Sequence, residues 1–133
     1  MRKIFMVLFV GVGLMVVGTV QVGAHHAFSA EFDGNKPIKL TGTVTKMEWI
    51  NPHAWIHIDV KKPDGTVESW MIEGGTPNVL IRRGLRKTDL PAGTVIVVQG
   101  FRAKDGGLRA SGTNLTLSDG RQLFLGSSAP GTP

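Results

Sequence analysis

A mainly β fold is predicted by three features of the chain. The segment from His53 to Lys61 alternates strictly, turn formers recur along the sequence, and only one short helix signal, Thr76-Pro77-Asn78, interrupts the strand-like segments. Each element follows from local chemistry, beginning at the amino terminus.

Arg2 and Lys3 precede a stretch from Ile4 to Val20 that carries no charge. That is the profile of a secretory signal peptide. Val22 and Ala24 occupy the two small-residue positions of a cleavage site, so residues 1–24 form the expected signal and the cut falls between Ala24 and His25. Cleavage after Gly23 or after Ala27 fits less well, because Gln21 or His25 would then take the upstream small position. An uncleaved anchor is the competing expectation, since the run approaches the ~17–25 residues that span a bilayer. Gly11, Gly13 and Gly18 weaken it, and no basic stop-transfer cluster follows.

Residues 25–38, HHAFSAEFDGNKPI, have no period and are expected to form an N-terminal arm with Phe28 and Phe32 as anchors. A β domain over residues 39–126 follows. Lys39–Ile50 is rich in residues that suit a pleated surface, with Gly42 at a bend or bulge, and makes strand one. Asn51-Pro52 forces a corner. In strand two, His53–Lys61, Ala54, Ile56, Ile58 and Val60 point one way, while His53, Trp55, His57 and Asp59 point the other. Pro63-Asp64-Gly65 turns the chain into strand three, Thr66–Glu73. Pro77 at the first helical position opens a short helix that Gly84 stops. Strand four, Thr94–Arg102, is apolar on both faces and is expected to be buried. Strand five spans Leu108–Leu117, and Asp119-Gly120 leads to a last strand, Gln122–Leu125. Residues 127–133 form a low-complexity tail expected to be disordered. Three strands, a helix and further strands is the order of a small OB-like antiparallel β-barrel, with the helix between strands three and four capping its open end.

Removal of residues 1–24 leaves 109 residues, one ordinary domain, and lowers the net charge from +5 to +3. Nucleic acid is not an expected partner of an exported chain. Its basic residues are dispersed except for Arg82, Arg83, Arg86 and Lys87, which are expected to form a solvated helix end. The chain has no cysteine, which excludes disulfides, thiolate chemistry and a cysteine zinc site.

AHHAFSAEFD at Ala24–Asp33, GTVTKMEWINPHAW at Gly42–Trp55, RRG at Arg82–Gly84 and GFRAKDG at Gly100–Gly106 resemble a family of small exported bacterial proteins catalogued as a domain of unknown function. The resemblance spans nearly the whole mature chain. It implies an exported, OB-like domain with no established activity and supplies no site residues.

The four histidines fall in two places, His25 and His26 at the expected new amino terminus and His53 and His57 on one strand face. Cleavage after Ala24 gives His25 a free α-amino group beside its imidazole, a chelate that suits copper(II), which favours nitrogen donors in tetragonal geometry. His53 or His57 supplies a further donor, with His26 as another candidate. On a straight strand His53 and His57 lie ~13 Å apart, too far for one ion to bridge. His53 is preferred because the arm can fold back onto the Asn-Pro corner. Met71, Asp59 and Glu73 are possible neighbours. The competing expectation makes the strand histidines ordinary polar residues on a solvent face.

Trp55 shares the histidine face and, with Asp59, is the candidate ligand platform, whereas Trp49 and Trp70 are expected in the core. Ser29 and Ser69 lack a nucleophile elbow, the glycine pairs lack a phosphate-loop context, and no paired-carboxylate spacing occurs, so no familiar enzyme class is indicated. The expected function is a small periplasmic or secreted binding protein that takes copper, or another divalent metal, through His25. Contact with the membrane is expected only during export. The alternative is a metal-independent OB-like module that binds a peptide, glycan or partner protein along strands two and three.

Overall fold

The computed structural model describes residues 27–127 and residue 129. The expected signal, its cleavage site, His25 and His26 lie outside the described residues. Residues 27–31 form a helical turn. The strands are β1 (Phe32–Glu48), β2 (Trp55–Lys61), β3 (Val67–Glu73), β4 (Val95–Ala103), β5 (Arg109–Leu117) and β6 (Gln122–Phe124). Between β3 and β4 come the helix Pro77–Arg82 and a single 3-10 turn, Lys87–Asp89. Among the described residues no helix is long and apolar enough to cross a membrane.

The fold is mainly β, as expected. Its sheet runs β3-β2-β1-β4-β5-β6 with antiparallel neighbours, and β3 pairs in addition with β5 in parallel. β3 and β6 thereby divide one edge of β5. The first takes Arg109, Ala110 and Ser111, and the second takes Asn114, Leu115 and Thr116.

The inward face follows the alternation of β2. Ala54, Ile56 and Ile58 are buried with Val44, Trp70, Ile72, Ile96, Val98, Ala110 and Leu115. The helix closes this core: Thr76 Oγ1 accepts the Val79 N–H at 3.3 Å, Pro77 occupies the first turn, and Leu80 and Leu85 insert beneath it. Trp70 is a core residue, with its indole N–H donating to Glu68 Oε2 at 2.9 Å, and Trp49 is partly buried against the same cluster.

Several expectations are corrected. β1 begins at Phe32, not Lys39, because Phe32 pairs with Ala103 and the intervening Asp33–Lys36 are absorbed as an irregularity before Pro37 resumes the ladder opposite Phe101. The turn formers interrupt a long strand instead of ending an arm. The bulge lies between Val44 and Lys46, not at Gly42. Gly42 marks close approach, since a Cβ there would stand 2.9 Å from the Asp59 carbonyl oxygen. β4 is not buried along both faces: Ile96 and Val98 are inside, whereas Val95 is 49% exposed at one end of the outer face, which no other described residue covers. The far end is covered. There Phe28 packs edge-on against Phe101 and stacks on Phe32, in a second cluster with Ala103 and Ala129. Ala129 and Ser127 are buried, so this part of the expected disordered tail packs on the domain.

Replacing Ile58 by Ala should lower stability in urea unfolding by ~2–5 kcal/mol, the range for emptying a packed core position. Val67→Ala at the exposed start of β3 should stay within about 0.5 kcal/mol.

Candidate functional site

The outer face of the sheet carries the candidate residues in two cross-strand rows. One row runs Phe101 (β4), Ser111 (β5), Glu73 (β3), Trp55 (β2), Glu48 (β1). The next runs Arg109, Met71, His57, Lys46. Side chains two apart on a strand share a face, so both rows look away from the core row of Ala110, Ile72, Ile56 and Met47.

Each strand-two histidine has its own carboxylate. His53, just before β2, places Nδ1 3.4 Å from Glu73 Oε1. His57 Nε2 lies 3.3 Å from Glu48 Oε2. Trp55 is half-buried and stands in the ladder between Glu73 and Glu48, hence between the two pairs. Asp59 is engaged elsewhere: it accepts the Ser69 hydroxyl at 2.7 Å. Met71 sits opposite His57. Among the described residues, no group of three or more His, Cys, Asp or Glu side chains is arranged to hold a metal ion.

Glu73 is the unusual member. It is 7% exposed, and its ladder neighbour Ser111 is fully buried with a hydroxyl that has no hydrogen-bond partner among the described residues. Two polar groups are thus shielded on an outward-facing surface where water would normally satisfy them. The turn at residues 27–31 lies beside them. Phe28 rests on Phe101, the Lys104 N–H donates to the Glu31 carbonyl at 2.9 Å, Lys104 Nζ donates to the Ser29 carbonyl, and Arg109 binds the Glu31 carboxylate at 3.4 Å. Burial first, and the negative charge of Glu31 second, push the Glu73 carboxyl up to about 7 against the opposing charge of Arg109. Glu48 moves the other way, held down first by the Lys46 ammonium and then by His57.

The model described as "Family of unknown function (DUF6152)" matches residues 13–114. The chain belongs to this family. The match takes in the N-terminal turn, β1 to β4 and most of β5, and therefore every residue of the two rows. No curated protein and no solved structure matches the chain.

His53, Trp55, His57 and Asp59 fall beside one another on the face expected for them, while His25 and His26 lie outside the described residues. Glu48, Ser111, Glu31 and Arg109 were not among the sequence candidates. Glu48 sits close to Trp49 in sequence but shows its role only through the β1–β2 register. The other three depend on the β3–β5 pairing and on the seat of the N-terminal turn.

A carboxyl whose folded pKa lies above its unfolded value holds its proton more tightly in the fold. Its stabilising effect is complete below 4.5, its ordinary value, and is lost as pH rises through about 7. In metal-free protein, urea stability should therefore fall between pH 5 and 7.5 by on the order of 3 kcal/mol at most. Glu73→Gln should flatten that slope.

Proposed function

We propose that the chain is an exported OB-like domain that binds copper through the mature N-terminal His25 together with His53 and Glu73. The OB reading is supported by the strand order, by β3 pairing with both β2 and β5, and by the helix between β3 and β4. The observation that carries the metal reading is the seat of residues 27–31 beside the His53–Glu73 pair. Phe28 is anchored on Phe101, and His25 precedes Phe28 by three residues. Its Cα is therefore tethered within about 11 Å of that anchor, whatever the path between them.

The donors suit the ion. The His25 amino group and imidazole chelate, His53 Nδ1 adds a third nitrogen, and the Glu73 carboxylate adds an anionic oxygen. Glu73, pushed up to about 7, still holds its proton in roughly half of the molecules at neutrality without metal, so a bound cation displaces that proton and affinity rises with pH. His26 is a further donor on the same tether. His57, paired with Glu48 across Trp55, belongs to a separate group.

A metal-independent interaction module is the second reading. It rests on Trp55, half-buried at the centre of the outer face with a carboxylate residue on either flank. Loss of binding to a periplasmic partner on Trp55→Ala, with no effect from replacing the histidines, would favour it.

Intact mass of the secreted protein should show a chain beginning at His25. Titration with copper(II) should then give a nitrogen-ligated spin-resonance spectrum. His53→Ala should weaken binding by more than the roughly 10- to 100-fold that loss of an outer-shell partner costs. One extra residue before His25 should abolish the spectrum, and His57→Ala should leave it intact. The absence of a tight nitrogen-ligated site would overturn the proposal.

A further inference from the structure

Far from the histidines in sequence, the chain from Gly74 to Thr88 contains no acidic residue and carries Arg82, Arg83, Arg86 and Lys87 within six positions. Sequence alone makes this a solvated helix end. The structure adds two things, exposed apolar side chains and a second element that joins the same surface.

Ile81 is 54% exposed and Phe124 is 46% exposed. The guanidinium of Arg83 lies 5.7 Å from the centre of the Phe124 ring, and a Cβ at Gly84 would touch Leu123 Cδ2 at 3.9 Å. Arg121, just before β6, feels the charge of Asp89 in the 3-10 turn. The helix end, the turn and β6 therefore form one face.

Three of its cations, Arg82, Arg86 and Lys87, stand apart from the ion pairs of the described residues. Lys36, Lys46, Lys62, Arg109 and Arg121 each sit against a carboxylate, whereas Arg82, Arg86 and Lys87 have none within ion-pair distance among the described residues. The acids nearby are already engaged: Asp89 Oδ2 accepts the Arg86 N–H at 2.8 Å, and Asp119 Oδ2 holds Arg121 at 2.8 Å.

We infer that this face docks on an anionic lipid bilayer, with Arg82, Arg86 and Lys87 at the lipid phosphates and Ile81 and Phe124 entering the headgroup boundary. Clustered cations are drawn to a negative bilayer surface, and guanidinium groups remain with phosphates while apolar side chains beside them enter the interface. Charge complementarity selects an acidic partner. The two exposed apolar side chains among the cations favour a bilayer over a soluble acidic chain. The inference does not rest on the proposed copper site, because none of these residues belongs to the His53, Trp55 and His57 face.

The secreted protein, free of the apolar run at residues 4–20, should be sedimented with vesicles of phosphatidylcholine containing phosphatidylglycerol, and with phosphatidylcholine alone. Binding is expected only to the anionic vesicles and should weaken about tenfold or more as salt rises from low to high ionic strength. The combined Arg82→Glu, Arg86→Glu and Lys87→Glu variant should lose it. Phe124→Ser should weaken it severalfold while keeping the salt dependence. Should the triple variant misfold by circular dichroism, Ile81→Asp at its exposed position replaces it and should also weaken binding. Equal binding to neutral vesicles, or binding unchanged in these variants, would overturn the inference. So would retention of polyglutamate by a protein that leaves anionic vesicles unbound.

Discussion

Three ladder pairs, Met71 with Arg109, Ile72 with Ala110 and Glu73 with Ser111, hold together segments that are distant in the chain. On the inner side they bring Ile72 and Ala110 into one buried row. The fit is close: a Cβ at Gly112 would stand 2.8 Å from Ile72 Cγ2 and 3.2 Å from the Glu73 carbonyl oxygen, so only a residue without a side chain lets β5 run past the end of β3. On the outer side the same pairing sets Arg109 beside Met71 and Ser111 beside Glu73. The N-terminal turn then has both a cation for Glu31 and a surface to cover. Without the parallel pairing, the candidate site would lose one wall and its shielding.

That dependence explains which parts of the molecule were legible in the sequence. β2 was plain, because period-two alternation is a local signal and its two faces differ sharply in polarity. The helix start was equally plain from Thr76 and Pro77. The start of β1 is hidden because Asp33–Lys36 look like a turn in isolation, and only pairing of Phe32 with Ala103 shows that the strand continues past them. β4 misled in the opposite way. Its apolar residues on both faces imply burial on both, yet the cover on the outer face reaches only Phe101 and Ala103. The site divides similarly. The shared face of His53, Trp55 and His57 follows from spacing, whereas the shielding of Glu73 needs β5, Glu31 and Phe28 to arrive from elsewhere.

The two histidine–carboxylate pairs differ in a physically consequential way. Glu48 is partly exposed and neutralised by Lys46, so its negative charge is cheap to maintain and it remains ionised. Glu73 is screened from water and faces the like charge of Glu31, so the fold favours its neutral form. The two carboxylates flanking Trp55 on one face are thereby given opposite electrostatic characters. Trp55 stands between them and separates the ionised carboxylate from the one whose neutral form the fold favours.

β6 is short, and its place on β5 has a consequence for how the chain reaches its native state. The stretch of β5 edge that it covers, from Asn114 to Thr116, has no other strand to occupy it among the described residues. Until residues 122–124 arrive, that backbone is an open template for strands of other molecules. β6 therefore acts as a guard against self-association, and a chain truncated before it would lose that guard while keeping most of its core.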